Sequence, residues 1–272
     1  MPRILLTIAK CIIPYAIWII YYEKKFDYLV KERPHYFYCV WNGALLAKKL
    51  GYNKISVIEF GVAGGNGLVL LEKYAEEIGK KFKIDIEVYG FDTGKGLPKL
   101  EDYRDMQYNW DEGFFSIDIE LLRKKLHKAK LVIGDVKETV KTFFSEYNPA
   151  PIAAVMHDMD YYSSTKVAMN IFENEDGFFL PRIFNYFDDI NGNNSLFCCS
   201  DYTGERLAIN EFNQEHTLMK FSAAYNLIAR AGIETWYRQI FILHKFNHVK
   251  YNDYVDPMDG DQLKLKKKYW KK

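Results

Sequence analysis

The stretch from Val57 to Gly67 constrains this chain most. It reads Val-Ile-Glu-Phe-Gly-Val-Ala-Gly-Gly-Asn-Gly and sets four glycines within seven positions, directly behind an apolar run from Ile55 to Ile58. Glycine reaches positive φ without steric cost and lets a ligand approach the backbone closely. The turn leaves into a segment where Leu71, Tyr74, Ala75 and Ile78 recur at helical spacing, with Gly79 placed to close it. Strand, glycine-rich turn and helix together form the opening unit of an α/β sheet that binds nucleotides. The plain alternative is a tight strand–helix turn that holds nothing.

The glycine spacing narrows the ligand. A dinucleotide turn needs G-x-G-x-x-G, and the registers starting at Gly61 and Gly65 both fail. No Lys-Ser or Lys-Thr follows to make a P-loop. Glu59 stands two residues before the first glycine, where a carboxylate repels pyrophosphate and suits an amino-bearing ligand. This Glu-x-Gly-x-x-x-Gly-x-Gly arrangement resembles motif I of the class I S-adenosylmethionine-dependent methyltransferases. The resemblance implies that Glu59, Gly61, Ala63, Gly65 and Asn66 hold the methionine end of that cofactor.

The 272 residues suit one large α/β domain with decorations. We expect an extension over residues 1–54, a catalytic domain over 55–248 and a polar, lysine-rich tail over 249–272. With 37 basic against 36 acidic residues, the charge balance gives no argument for a nucleic-acid partner. The cysteines at 11, 39, 198 and 199 have no metal-ligand spacing, and reduced thiols in a cytoplasmic protein are expected. Residues 4–22 form an apolar run of nineteen, interrupted by Lys10 and Pro14. Three readings stay open for it: a membrane-surface helix, a segment docked on the domain or on a second subunit in a homo-oligomer, and a signal anchor. The last nine residues hold six lysines, which fits a solvated tail or contact with anionic lipid at the inner face of the membrane.

Helix is expected over residues 35–50, 119–129, 136–147, 165–172 and 202–217. Strands are expected at Ile84–Phe91, Leu131–Gly134, Pro151–Met156 and Arg182–Phe187, with two β-type segments near Thr235–Trp236 and Arg238–Leu243 as a closing hairpin. The aromatic-rich residues 99–118 fit either a mobile lid or a packed surface loop. The second strand ends at Asp92, where a carboxylate would hold ribose hydroxyls. Its continuation, Phe91-Asp-Thr-Gly-Lys-Gly-Leu-Pro98, resembles the Phe-Asp-Ser-Phe-Glu-Gly-Leu-Pro signature of the macrocin O-methyltransferase family, metal-dependent sugar O-methyltransferases. In that light Asp92 and Thr93 would face the ribose and Asp135, at the end of the third strand, the adenine.

Two later strands end in acids: His157-Asp158-Met159-Asp160 and Asp188-Asp189, with Asp158 and Asp188 30 residues apart. In a parallel sheet these ends open on the ligand side, and converging carboxylates there call for a hard cation, Mg²⁺ or less specifically Mn²⁺ or Ca²⁺. A polar rim or helix caps are the alternative. His157-Asp-Met-Asp-Tyr-Tyr-Ser-Ser-Thr165 and Phe187-Asp-Asp-Ile190 resemble the same family's Asp-x-Asp-x-Tyr-x-Ser-Thr and Asp-Asp-Tyr motifs, with Ile190 in place of the tyrosine. The resemblance, which covers residues 55 to 245, implies Asp158, Asp188 and Asp189 as metal ligands and Asp160 as their support. Asp158 and His157 are the candidate catalytic residues, although strand alternation turns His157 away from Asp158. The implied fold is the Rossmann-like class I methyltransferase sheet, seven mostly parallel strands with the last antiparallel. The implied activity is metal-assisted methyl transfer to a hydroxyl of a sugar or glycan-type acceptor, lipid-linked acceptors included. Catechol or carboxylate acceptors, and a non-catalytic cofactor-binding or membrane-associated protein, are the alternatives.

Overall fold

A computed structural model describes residues 31–192, 196–229 and 234–255. The apolar run at 4–22 and the lysines from 264 onward lie outside these residues. Among the described residues, no helix is long and apolar enough to cross a membrane.

Seven strands make one sheet: β1 (Lys54–Phe60), β2 (Asp85–Asp92), β3 (Lys130–Ile133), β4 (Ile152–His157), β5 (Phe179–Phe187), β6 (Met219–Ala223) and β7 (Ile240–Lys245). Their order is β3-β2-β1-β4-β5-β7-β6. β1 through β5 pair in parallel, whereas β7 runs antiparallel between β5 and β6. This is the mostly parallel sheet with an antiparallel last strand. β4 is buried along its whole length, as a strand covered on both faces must be.

Helices cover both faces. α1 (Pro34–Lys49), α2 (Asn66–Phe82) and Leu122 of α3 (Ile119–Lys125) share one apolar cluster with the sheet. α4 (Val136–Tyr147), α5 (Tyr162–Ala168) and α6 (Gly204–Glu215) build the cluster on the other face, and a short α7 spans Tyr225–Ile228. α1 falls within the stretch read from sequence as an extension, yet Tyr36, Cys39, Val40 and Ala44 are buried in the main core. Beyond His248 the chain still packs: the Lys250 ammonium donates to the Leu50 carbonyl at 2.7 Å.

Several element boundaries differ from the sequence reading for identifiable reasons. α3 stops at Lys125 rather than 129 because Glu72 of α2 accepts the amides of His127, Lys128 and Ala129. The segment expected to be helical over 165–172 starts earlier, at Tyr162, and ends in a 3-10 turn over Met169–Glu173. Thr235–Arg238 is also a 3-10 turn, and the hairpin partner of β7 is Met219–Ala223. Trp236 and Tyr237 have β-type side chains, but Trp236 packs edge-on to Tyr237 and against Tyr38 of α1, and that packing overrides propensity. β6 buries only Phe221, so its sequence carries little alternation.

The segment between β2 and α3 is pinned at its start. Asp105 is wholly buried and accepts from the Glu101 and Ser163 amides (3.0 and 2.8 Å) and from the Ser163 hydroxyl (3.0 Å). Arg104 stacks on Tyr162 at 4.4 Å and donates to its hydroxyl. Of the two readings, the packed loop describes residues 101–106. Replacing the buried Asp105 by Ala removes the acceptor of three part-buried donors, and we expect a loss of about 2 kcal/mol in chemical unfolding. Limited proteolysis within residues 99–118 should accelerate before the rest of the chain yields.

Candidate active site

The last paired rung of four parallel strands is aromatic. Phe91, Phe60, His157 and Phe187 are register partners across β2, β1, β4 and β5. Their rings follow one another at 4.7, 5.7 and 4.3 Å. The next residues on these strands are Asp92, Gly61, Asp158 and Asp188, so the sheet register alone brings them to one edge. They border a cleft of about 540 Å³ that also takes in Ala63, Thr93, Asp135, Asp160 and Asp189.

The glycine turn is built for close contact. Gly61 has φ +82°, and a Cβ there would lie 1.7 Å from the Asp158 carbonyl oxygen, so only glycine fits. One Asp92 oxygen accepts the Val62 and Ala63 amides at 2.9 and 3.0 Å, and the other accepts the Gly94 amide at 2.6 Å. Asp92 thus ties the turn to its own loop, and a carboxylate retains lone pairs for a ligand hydroxyl. The Thr93 hydroxyl donates to the Gly96 carbonyl at 3.0 Å. Asp135 caps α4 by accepting the Lys137 amide at 2.8 Å.

Three residues named from the glycine motif stand outside the cleft lining. Gly65 is the N-cap of α2, in a left-handed conformation, and Asn66 opens that helix at its exposed surface. Glu59 lies under the turn, 1% exposed, where its Oε1 accepts the Tyr36 hydroxyl at 2.7 Å. A Cβ on Gly67 would come within 2.0 Å of that oxygen. Burial raises the Glu59 carboxyl to about 8, with Asp158 and Asp92 adding to the rise and the Tyr36 hydrogen bond and Arg33 opposing it.

At the other end of the cleft the acids converge. Asp158, Asp188 and Asp189 each offer an oxygen, all within 4.8 Å of one another. Asp188 and Asp189 open a 3-10 turn directly behind β5. The Tyr186 hydroxyl donates to the Asp188 carboxylate, and the Gln239 side-chain amide to its carbonyl. The Asp189 amide donates to Glu205 Oε2 at 2.8 Å. Asp160, at φ 61°, lines the cleft beside them. Burial pushes Asp158 up to about 8, with Asp188 and Asp160 adding, and pushes Asp160 up to about 7, with Asp188 adding. Asp189 and Glu205 are raised well above the usual carboxylate range by burial and by the neighbouring acids. Asp189 Oδ2 and Glu205 Oε1 are buried with no hydrogen-bond partner among the described residues. Among the described residues, Arg33 alone forms an ion pair with these acids, 3.8 Å from Asp158 Oδ2.

Two of these residues escaped the sequence reading. Glu205 follows a glycine in the first turn of α6, where an acid resembles an ordinary helix-start residue. Arg33 precedes Pro34, the first residue of α1, and arginine is not a usual N-cap.

The structure corrects the assignment of His157 as a catalytic candidate. Its ring is fully buried, stacked on Phe187 with 5° between the planes, and it does not line the cleft. The Asn185 side-chain amide donates to the Ile183 carbonyl, so its Oδ1 accepts from His157 Nε2–H at 3.2 Å. Burial lowers the imidazole from its ordinary 6.5 to about 3. The unfolded chain therefore binds a proton near 6.5 that the folded chain refuses. The stability involved is fully present above that pH and drains away as pH falls. Between pH 7 and pH 5 the wild type should lose up to about 2 kcal/mol more than His157→Gln, measured by denaturant titration at each pH.

No protein-family model matches the chain, and no curated protein is similar to it in sequence. Solved structures are similar in fold. CalS11, a calicheamicin methyltransferase, matches with a TM-score of 0.52 and 19% identity over 76% of this chain and 78% of its own. The O-methyltransferase NovP matches with a TM-score of 0.52 and 14% identity over 78% and 80%. The chain therefore has the seven-stranded α/β fold of these methyltransferases.

Proposed function

We propose that the protein is an S-adenosylmethionine-dependent O-methyltransferase that uses a divalent cation and acts on a sugar or glycan-type hydroxyl. The observation that carries this reading is the continuity of one cleft. It runs from the glycine turn, Asp92 and Asp135 to the triad Asp158, Asp188 and Asp189. The fold shared with CalS11 and NovP, and the motifs resembling the macrocin O-methyltransferase family, support it.

The donor set fits a hard cation. Three carboxylates meet within 4.8 Å, all oxygen, and Asp189 keeps a buried oxygen with no partner among the described residues. Asp158, Asp188 and Asp189 would hold Mg²⁺, which when bound polarises an acceptor hydroxyl and eases its deprotonation. Asp92 and Thr93 would meet the ribose, Asp135 the adenine, and Gly61 with Ala63 the thioether side. Asp158 borders both ends, since Gly61 is fixed against its carbonyl. It is the catalytic residue of this reading, because it adjoins the methyl donor and the acceptor oxygen together. Trp110 and Phe115 form an aromatic wall of the cleft, and the buried Trp110 indole N–H has no partner among the described residues. A flat apolar face with one free donor suits a sugar ring. The chain's own contribution is then positioning and exclusion of water around a fixed charge pattern.

Calorimetric titration with S-adenosylhomocysteine, with and without Mg²⁺ and with NAD⁺ as control, tests the cofactor. Binding of the first and not of NAD⁺ is expected, and absence of binding in both conditions overturns the reading. Asp188→Ala should lower methyl transfer to a panel of vicinal-diol sugars by at least about 10³-fold while shifting cofactor affinity only a few-fold. Turnover retained by that variant would remove the metal role.

A further inference from the structure

We infer that Arg33 is the carboxylate clamp of the cofactor site: its guanidinium takes the α-carboxylate of the amino-acid end of S-adenosylmethionine. This rests on the cofactor reading above and assigns that end of the ligand to a residue outside the glycine motif.

The amino-acid end of the cofactor is a zwitterion, so its site needs a cation for the carboxylate. In the glycine turn the Val62 and Ala63 amides are already held by Asp92 and the Gly65 amide by the Val62 carbonyl, and the donors left there are neutral amides, not a cation. The neighbouring Asp158 would repel a carboxylate. Among the described residues three cationic side chains line the cleft: Arg33, Lys99 and Lys137. Lys137 is paired with Glu101 at 2.7 Å, in the first turn of α4 beyond Asp135. Lys99 lies behind β2, beyond Asp92. Arg33 stands where β1 and β4 end, against Asp158 and over the Tyr36 ring at 5.2 Å. Tyr36 in turn bonds Glu59 beneath the turn.

The guanidinium is positioned but poorly satisfied. Among the described residues its polar contacts are the Tyr36 hydroxyl at 3.5 Å and Asp158 Oδ2 at 3.8 Å, both long for a group with five N–H donors in a rigid fork. A planar carboxylate matches that fork in two parallel hydrogen bonds. The backbone beneath is held in an uncommon state: Arg33 has φ 45°, and its carbonyl accepts the Tyr36 amide at 3.0 Å. Strain retained at a side-chain-bearing N-cap fits a residue kept for what its side chain does.

The test is calorimetry on the full chain in Mg²⁺ buffer. The ligands are S-adenosylhomocysteine and its decarboxylated analogue, in which a 3-aminopropyl thioether replaces the amino acid. The wild type should prefer the carboxylate-bearing ligand by about tenfold or more. Arg33→Met should lose that preference by weakening only S-adenosylhomocysteine, and Arg33→Lys should recover part of it. Equal affinity of the wild type for both ligands, or an undiminished preference in Arg33→Met, overturns the clamp and leaves the cofactor reading standing. If the wild type binds neither ligand, the cofactor reading falls and the clamp with it. The wild-type ratio needs no substitution, so a variant that fails to fold does not block the decision.

Discussion

The parallel register of β2, β1, β4 and β5 is the constraint on which the rest depends. Because Phe91, Phe60, His157 and Phe187 fall on one rung, their rings pack as one apolar layer, and the residue after each ring emerges at the same height. A slip of one residue would send a ring to the opposite face and an acid into the core. Three large buried aromatics and a neutral imidazole make such a slip costly, since each buried side chain contributes about 2 kcal/mol by removal from water. The precision of the polar edge is therefore bought by apolar packing just beneath it.

That edge is electrostatically unfavourable on its own. Ionised carboxylates at the separation of Asp158, Asp188 and Asp189, within 4.8 Å, repel by roughly 3 kcal/mol per pair at an effective dielectric of about 20. Three such pairs are comparable with the whole stability of a typical domain. Asp160 and Glu205 add to the load, and among the described residues the one ion pair these acids make is the long contact of Asp158 with Arg33. The protein answers in part by raising the carboxyl pKa values, as burial does at Asp158 and Asp160. A bound cation removes the same penalty without protons, which is why an assembly so unbalanced is intelligible as a site.

Much of this was legible in the residues. The glycine turn with its flanking strand and helix, and the acids closing β2, β4 and β5, are local patterns whose meaning follows from chain geometry. Alternation already turned His157 inward, and the aromatic rung shows where it goes. What stayed hidden depended on tertiary contact. Glu59 reads from its neighbours as a ligand-facing acid, and nothing local foretells that Tyr36 of α1 bonds it from below. Arg33 and Glu205 carry no signal in their neighbours, since one precedes a proline and the other opens a helix. β6 was missed because an edge strand with one buried side chain has no period to detect.

The insertion of β7 between β5 and β6 has a consequence for biosynthesis. Phe187 donates its amide to the Gln239 carbonyl, and the Gln239 side chain holds the carbonyl of Asp188. The glycine turn, Asp92 and Asp158 all belong to the first 160 residues, and their strands can pair as they leave the ribosome. β5 remains an open edge, and the Asp188–Asp189 turn lacks its outer support, until residues 239–245 have emerged. Translation thus delivers the glycine-turn half of the cleft long before the Asp188–Asp189 half can set. A nascent chain halted between residues 190 and 238 would carry an unpaired, apolar edge strand, a template for aggregation or a target for a chaperone.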